Sequence, residues 1–381
     1  MRVAIVTESY RPDVNGVSHS VQRVVEHLLA RGHDPLVIAP EPDPARPRQD
    51  GDDGPCRVLR VPSVPLPGYP AFRIGLPSRR VEAAIAAHAT DVVHLASPFA
   101  LAAHGAFVAE RLDVPSVAVY QTDVAGFAGF YRLGGGSALG RAAVWRWLRR
   151  VHSRAERTLA PSSAAAADLR SHGIGAVHLW PRGVDGVRFH PSRRDDALRA
   201  DLMSGRDLLV GYVGRLAPEK NLELLEPLTT LPGLRVVVVG DGPARRSLEE
   251  RLPGARFTGE LRGDRLARVY ASLDVFVHTG AHETFCQSVQ EALASGVPVV
   301  APNAGGPVDL VRHGETGYLV EPGSGSAVVA AVEALADRAR RETFGSAARR
   351  SVSRRTWSAV GDTLLHHYGA AIAGHGLVRA A

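Results

Sequence analysis

Residues 283–301 read Glu283-Thr284-Phe285-Cys286-Gln287-Ser288-Val289-Gln290-Glu291-Ala292-Leu293-Ala294-Ser295-Gly296-Val297-Pro298-Val299-Val300-Ala301. A polar loop opens the stretch, a helix runs through Gln290 to Ser295, and Gly296 closes it as glycine does past a helix end. Val297-Pro298-Val299-Val300 is then an apolar run of the kind buried on both faces of a parallel sheet. A helix that leads straight into such a strand is held against the sheet, so the stretch is one helix-to-strand step of a doubly wound domain.

The same alternation extends outward in both directions. In the second half it predicts strands at Leu208–Val213, Leu234–Val239, Ala255–Thr258, Val275–His278, Val297–Ala301 and Tyr318–Val320. In the first half it predicts strands at Arg2–Thr7, Pro35–Ala39, Arg57–Val61, Asp91–Leu95, Ser116–Tyr120, Thr158–Ala160 and Ala176–Leu179, with helices such as Ser18–Arg31 and Ser78–His88 between them. The class is α/β. At 381 residues the chain is too long for one ordinary core. The polar, Arg- and Asp-rich segment Pro181–Asp207 interrupts the pattern and reads as a linker. We therefore expect two facing, doubly wound Rossmann-like domains, 1–187 and 188–356.

Composition narrows the function classes. A hydrophobic content of 45% with 22% charged residues excludes a disordered chain and an integral membrane protein. No apolar run reaches the roughly 18 residues of a membrane span, and Met1–Thr7 enters a strand pattern without a leader layout, so the expected location is the cytoplasm. Two cysteines, Cys56 and Cys286, fit neither a disulfide framework nor a structural zinc cluster. The formal charge of +6 suits nucleic acid, an anionic membrane surface or anionic small molecules. Lys220 is the single lysine among 45 basic residues, which sets its position apart.

In open α/β sheets ligands sit beyond the carboxyl ends of the strands. After the first strand, Asn15-Gly16 precedes a helix start. Gly16 either lets backbone amides approach an anion or simply makes a tight turn. This loop lacks the G-x-G-x-x-G spacing, and Gly240-Asp241-Gly242-Pro243 breaks it with proline, which argues against a nicotinamide dehydrogenase. Gly214-Arg215-Leu216-Ala217-Pro218-Glu219-Lys220-Asn221 follows a strand and places a guanidinium and an ammonium where both can reach one diphosphate.

Further on, Glu283 in the loop can accept sugar hydroxyls, and the amides of Thr284, Phe285 and Cys286 at the helix start can hold phosphate. Glu291, two turns into that helix by this reading, can accept from a ribose diol. Asp50-Gly51-Asp52 lies in the Pro- and Asp-rich loop Glu41–Pro55, away from any strand end, and reads as solvated surface rather than a metal site. Asp50→Ala is accordingly expected to leave activity unchanged.

These residues carry a resemblance. Gly214-Arg215-Leu216 with Glu219-Lys220, the 283–301 stretch, Ala304-Gly305-Gly306-Pro307 and Gly314–Val320 together resemble the family 4 glycosyltransferases of the GT-B fold. Thr7–Pro12, Asn15–Val17, Leu95–Pro98 and Leu179–Asp185 are similar to the branch holding actinobacterial lipid mannosyltransferases and sulfoquinovosyl-diacylglycerol synthases. The resemblance implies a metal-independent, retaining transferase that needs no cofactor beyond its nucleotide-sugar donor. It also implies that residues 357–381 cross back to complete the first domain. By the same analogy Arg215 and Lys220 stabilise the diphosphate leaving group, Glu283 orients the sugar and Glu291 holds the ribose. Substituting Lys220 or Glu283 by alanine should then lower turnover about a hundredfold with little loss of stability.

Many relatives present a histidine in the sugar-facing loops of the first domain, where this chain has Ala96 and Asp123. Asp123 is the better candidate for touching the sugar, and His94 reads as a residue at a strand end. A carboxylate at 123 repels an anionic sugar, so the expected donor sugar is a neutral hexose. The resemblance favours GDP-mannose, with a uridine diphosphate sugar as the alternative.

Residues 141–157 form a basic amphipathic helix. Val144, Trp145, Leu148, Val151 and Ala155 lie on one side, and Arg146, Arg149, Arg150 and Arg157 largely on the other. Such a helix lies on anionic lipid or packs on a core with a wet arginine face. The first reading predicts a lipid-linked acceptor and peripheral attachment at the inner membrane face. A nucleotide-sugar epimerase of the same architecture is the competing enzyme class. Arginines spread over both domains, without a legible binding module, argue against a nucleic-acid partner.

Overall fold

The computed structural model describes residues 1–13, 15–44, 53–66, 69–121 and 138–380. Two compact units result: Met1–Arg182 with Trp357–Ala381, and Gly183–Thr356. The change of unit comes ahead of the 187/188 division read from sequence. Val184 N donates to Arg355 O at 2.8 Å, and Val184 makes an isolated bridge to Thr356, which ties the start of the second unit to its end.

The first unit is a seven-stranded parallel sheet. Its strands are β1 (Arg2–Val6), β2 (Asp34–Pro40), β3 (Arg57–Val61), β6 (Val92–Leu95), β7 (Ser116–Val119), β8 (Arg157–Ala160) and β9 (Val177–Leu179), in the order β3-β2-β1-β6-β7-β8-β9. Winding reverses between β1 and β6, where Val3 to Val6 pair with Val92 to Leu95. The central strands are buried almost throughout, as apolar runs covered by helices on both faces must be. The helix Trp357–Ala380 belongs to this unit, and Trp180 Nε1 donates to Val360 O at 3.0 Å.

A hairpin of β4 (Ser63–Leu66) and β5 (Tyr69–Gly75) was not foreseen from the sequence. Pro65 and Pro70 argue against a sheet interior. A two-stranded ribbon, however, has an open edge on each strand, where a missing N–H costs nothing.

The second unit is a six-stranded parallel sheet in the order β12-β11-β10-β13-β14-β15. Its strands are β10 (Leu208–Val213), β11 (Leu234–Val239), β12 (Arg256–Gly259), β13 (Val275–Val277), β14 (Val299–Pro302) and β15 (Gly317–Val320). Its switch point lies between β10 and β13, with Val210 opposite Val275 and Gly211 opposite Phe276. The loops after β10 and β11 touch backbone to backbone: a Cβ on Gly240, at φ +138°, would lie 1.9 Å from Gly214 O. Glycine is required there for close approach as well as for its dihedral.

The expected linker 181–207 is folded. A short turn at Pro191–Arg193 leads to the helix Asp196–Met203, whose Leu202 is buried. Asp195 caps that helix by accepting from Leu198 N at 2.9 Å, and Arg199 pairs with Asp274 at 2.7 Å. The segment's polar residues serve as a cap and an ion pair of a packed element, which composition alone does not distinguish from a loop.

Candidate functional site

The carboxyl edge of the second sheet gathers most of the singled-out residues. Past β10 the chain passes Gly214 and Arg215 into a single helical turn, Pro218–Lys220, and Asn221 in left-handed backbone ends the turn. Thr279 Oγ1 donates to Lys220 O at 2.6 Å, pinning this turn to the loop after β13. Lys220 Nζ then lies 2.5 Å from Glu283 Oε1, and both side chains are only 18% exposed. Glu283 and the lone lysine thus form one ion pair. Arg215 is bonded to Glu219 within its own turn, so each cation carries a carboxylate.

Charge in this cluster is set by its neighbours. Burial alone would raise the Glu283 carboxyl, but Lys220 and His278 outweigh it and bring its pKa down to about 2. Burial works against the Lys220 ammonium, and Glu283 reverses that, raising its pKa. Both groups are therefore charged at neutral pH. His278, Glu283 and Cys286 place one ligand atom each within 4.8 Å of one another. Lys220 Nζ sits 2.5 Å from Glu283 Oε1, and an ammonium this close repels a divalent cation.

Glu283 is held in place by its backbone. Gly306 N donates to Glu283 O at 2.7 Å, and a Cβ on Gly306 would come within 2.1 Å of Phe285 O, so the loop after β14 lies directly on this segment. Phe285 and Cys286 are buried in the core of the unit. The Phe285 side chain packs there, while the Cys286 thiol faces His278 and Glu283. Cys286, at φ 77°, is the residue before the helix Gln287–Ala294, whose start has no side-chain cap. Thr284 lies in the loop between them.

Glu291 is one turn into this helix rather than two, because the helix begins only at Gln287. Burial raises its pKa to about 7, partly offset by Tyr270, Gln287 and Arg188.

Gly16 belongs to the other unit, as the first residue of the helix Gly16–Ala30. Asn15 Oδ1 accepts from Val17 N and Ser18 N, both at 3.0 Å, so the helix start is capped from within. Gly16 O accepts from Arg182 at 3.0 Å, and Arg182 also donates to Gln121 Oε1 at 2.9 Å. Gln121 Nε2 in turn donates to Ala96 O at 2.9 Å. Glu8 is buried and accepts from Leu101 N at 2.7 Å, Ala102 N at 3.3 Å and Ser97 Oγ at 2.5 Å. It thereby supplies the cap that Phe99 does not give the helix Ala100–Arg111.

Glu8, Gln121, Arg182 and His278 were not singled out in sequence. Each follows a strand end, and the position rule that pointed to Arg215 could have found them. His94 is buried in β6, with Nδ1 2.7 Å from Tyr368 Oη and a pKa that burial lowers to about 3. It is a neutral core histidine. Asp123 and the pair Asp50 and Asp52 lie outside the described residues.

The basic helix spans Ala138–His152, and Arg157 begins β8 instead of ending the helix. Leu148 and Val151 are buried, while Arg146, Arg149 and Arg150 are exposed. Trp145 does not turn outward: its ring stacks on His172 at 3.6 Å and 5° and packs on the core. Trp147 is the outward tryptophan, 42% exposed, with Nε1 donating to Pro98 O at 2.8 Å. A 660 Å³ cleft lined by Arg141, Trp145, Arg149 and His172 runs along this helix. Among the described residues no helix is long and apolar enough to cross a membrane.

Residues 14–188 match the family described as Glycosyltransferase Family 4, and residues 194–351 that described as Glycosyl transferases group 1. A GDP-mannose-dependent alpha-mannosyltransferase of Mycolicibacterium smegmatis is 52% identical over 100% of both chains. A GDP-mannose-dependent alpha-(1-6)-phosphatidylinositol monomannoside mannosyltransferase of Mycobacterium tuberculosis is 30% identical, over 92% of this chain and 94% of that one. Among solved structures, Anabaena HepE in complex with UDP has a TM-score of 0.79 at 21% identity, covering 97% of this chain and 100% of that one. That likeness places the fold among the two-domain glycosyltransferases.

Proposed function

The chain belongs to the family 4 glycosyltransferases, and we propose that it moves mannose from GDP-mannose to a lipid or glycolipid acceptor, with retention and without a metal. The observation that carries this reading is the Lys220–Glu283 pair at the carboxyl edge of the second sheet, beside Arg215. In the transfer the bond from the sugar C1 to phosphate oxygen breaks, a bond from C1 to the acceptor oxygen forms, and the acceptor hydroxyl's proton passes to an oxygen of the departing phosphate. Negative charge collects on the departing GDP. An ammonium offers three donors, so Lys220 can keep Glu283 on one and give phosphate another. Arg215 adds a fork of parallel donors. Fixed cations at the leaving group do the work a metal does elsewhere, since they stabilise the developing charge without reorganising. Glu283 would then orient the sugar, and the backbone of Thr284, Phe285 and Cys286 would hold phosphate.

Glu291 is assigned to the ribose diol, which gives a pH dependence. Hydroxyls donate to the ionised carboxylate, so nucleotide binding favours the charged form of a group with a pKa of about 7. GDP affinity is expected to rise as pH increases through about 7 and to fall below it. Glu291→Gln should flatten that profile. Dissociation constants between about pH 6 and 8 check this, and an unchanged profile in the variant removes Glu291 from the site.

The M. smegmatis relative supports the mannosyl donor, and the M. tuberculosis relative together with the exposed row Arg146, Arg149 and Arg150 supports the lipid acceptor. Arginines on a helix packed at the protein surface suit anionic headgroups at the cytoplasmic membrane face. One experiment tests both parts: transfer of labelled sugar into lipid extract from GDP-mannose and UDP-glucose in competition, on anionic phosphatidylglycerol vesicles that are then floated. Labelled lipid from GDP-mannose, with protein carried up by the vesicles but not after replacement of Arg146, Arg149 and Arg150, is the expected result. Transfer from the uridine sugar alone overturns the donor, and protein left at the bottom overturns the membrane contact.

A further inference from the structure

His278 comes directly after β13, whose three residues are buried, and its own side chain is 2% exposed. An apolar residue would suit such a position better, because a buried imidazole is costly unless its nitrogens are used. Neither ring nitrogen makes a hydrogen bond among the described residues, and the ring's approach to Glu283 is that of an ion pair. Its Nε2 lies 3.2 Å from Glu283 Oε1, the same oxygen that Lys220 Nζ approaches at 2.5 Å. The ring is stacked on Tyr212, with centroids 6.1 Å apart and planes 11° from parallel, so it is fixed in orientation. Two cationic groups therefore converge on one oxygen of Glu283 from different elements, β13 and the turn after β10. The second carboxylate oxygen is left to accept from a ligand.

We infer that His278 is a positioning residue: with Lys220 it locks Glu283 in one rotamer and one ionisation state, presenting Oε2 to a hydroxyl of the transferred sugar. The inference rests on the assignment of Glu283 to the sugar. Neighbouring charges support it. Burial opposes the imidazolium, but the Cys286 and Glu283 groups reverse this and raise its pKa to about 10. The titratable groups around the ring are Lys220, Glu283, Cys286 and Tyr212, and both cations approach the same carboxylate oxygen.

The test compares His278→Leu, which fills the space without a donor, with His278→Gln, whose amide can donate to Oε1. Carbon-13 NMR of the Glu283 carboxyl, assigned through Glu283→Gln, needs no substrate. In the parent the group is expected to stay ionised throughout the folded pH range. In the leucine variant it takes up a proton at higher pH, and in the glutamine variant it lies between the two. With GDP-mannose as donor, the leucine variant should lose about tenfold or more in kcat, in the range seen when a supporting partner is removed. The GDP dissociation constant should change less than about twofold, and glutamine should restore much of the rate. Identical carboxyl titrations in the parent and the leucine variant would overturn the inference. So would equal losses in both variants that track the melting temperature, since those mark a packing role alone. A shifted carboxyl in a protein that turns over no GDP-mannose leaves the clamp standing and removes the donor assignment instead.

Discussion

Lys220→Ala is expected to lower turnover about a hundredfold or more, the loss that follows removal of one preorganised transition-state donor. It is also expected to cost stability, contrary to the small effect the sequence alone suggests. Glu283 would be left in its partly closed setting with His278 as its remaining cation, and removing one partner of a buried pair costs more than the pair contributes. With both side chains 18% exposed, the loss should be up to about 3 kcal/mol. Chemical denaturation with parallel steady-state kinetics separates the two effects. A variant with unchanged kcat takes Lys220 out of the chemistry, and one with unchanged stability shows that Glu283 finds water or His278 at no cost.

Glu283→Ala should lower kcat by a similar factor for a different reason. It removes the carboxylate proposed to orient the sugar and leaves Lys220 and His278 as neighbouring cations without it. A linked acid effect follows. The folded pKa of about 2 lies below the ordinary value of 4.5, so the carboxylate contributes stability that is fully present above about 4.5 and lost as pH falls toward 2. Glu283→Gln should reduce stability at neutral pH and flatten its decline over that window. Denaturation midpoints across the acid range are the check. A glutamine variant with the parental pH slope would place the acid sensitivity elsewhere.

Strand positions were legible because each parallel strand must be buried on both faces. Leu208–Val213 and Leu234–Val239 leave no other reading. Lys220 and Glu283 were legible for a second reason: ligand groups in this architecture follow strand ends, and a single lysine there is conspicuous. What escaped depends on contacts across long sequence separations. Arg182 meets Gly16 and Gln121, and Glu8 meets Leu101, through loops that no local pattern couples. His278 was absorbed into the strand ahead of it. The 191–203 segment was taken for a linker because capping and ion-pairing residues have the composition of a loop. Helical periodicity left lipid contact and core packing open for the face bearing Trp145, because it does not show that a neighbouring histidine covers that ring.

The central claim is that the edge bearing Arg215, Lys220 and Glu283 binds a nucleoside diphosphate without a metal. It is tested most directly by the melting temperature of the protein with GDP, UDP, ADP or TDP, each with magnesium and with chelator, since a ligand that binds the folded state raises it by mass action. A rise with GDP that is the same in chelator, and that is lost in Lys220→Ala, is the predicted result. A rise that requires magnesium, or none with any of the four nucleotides, would contradict it.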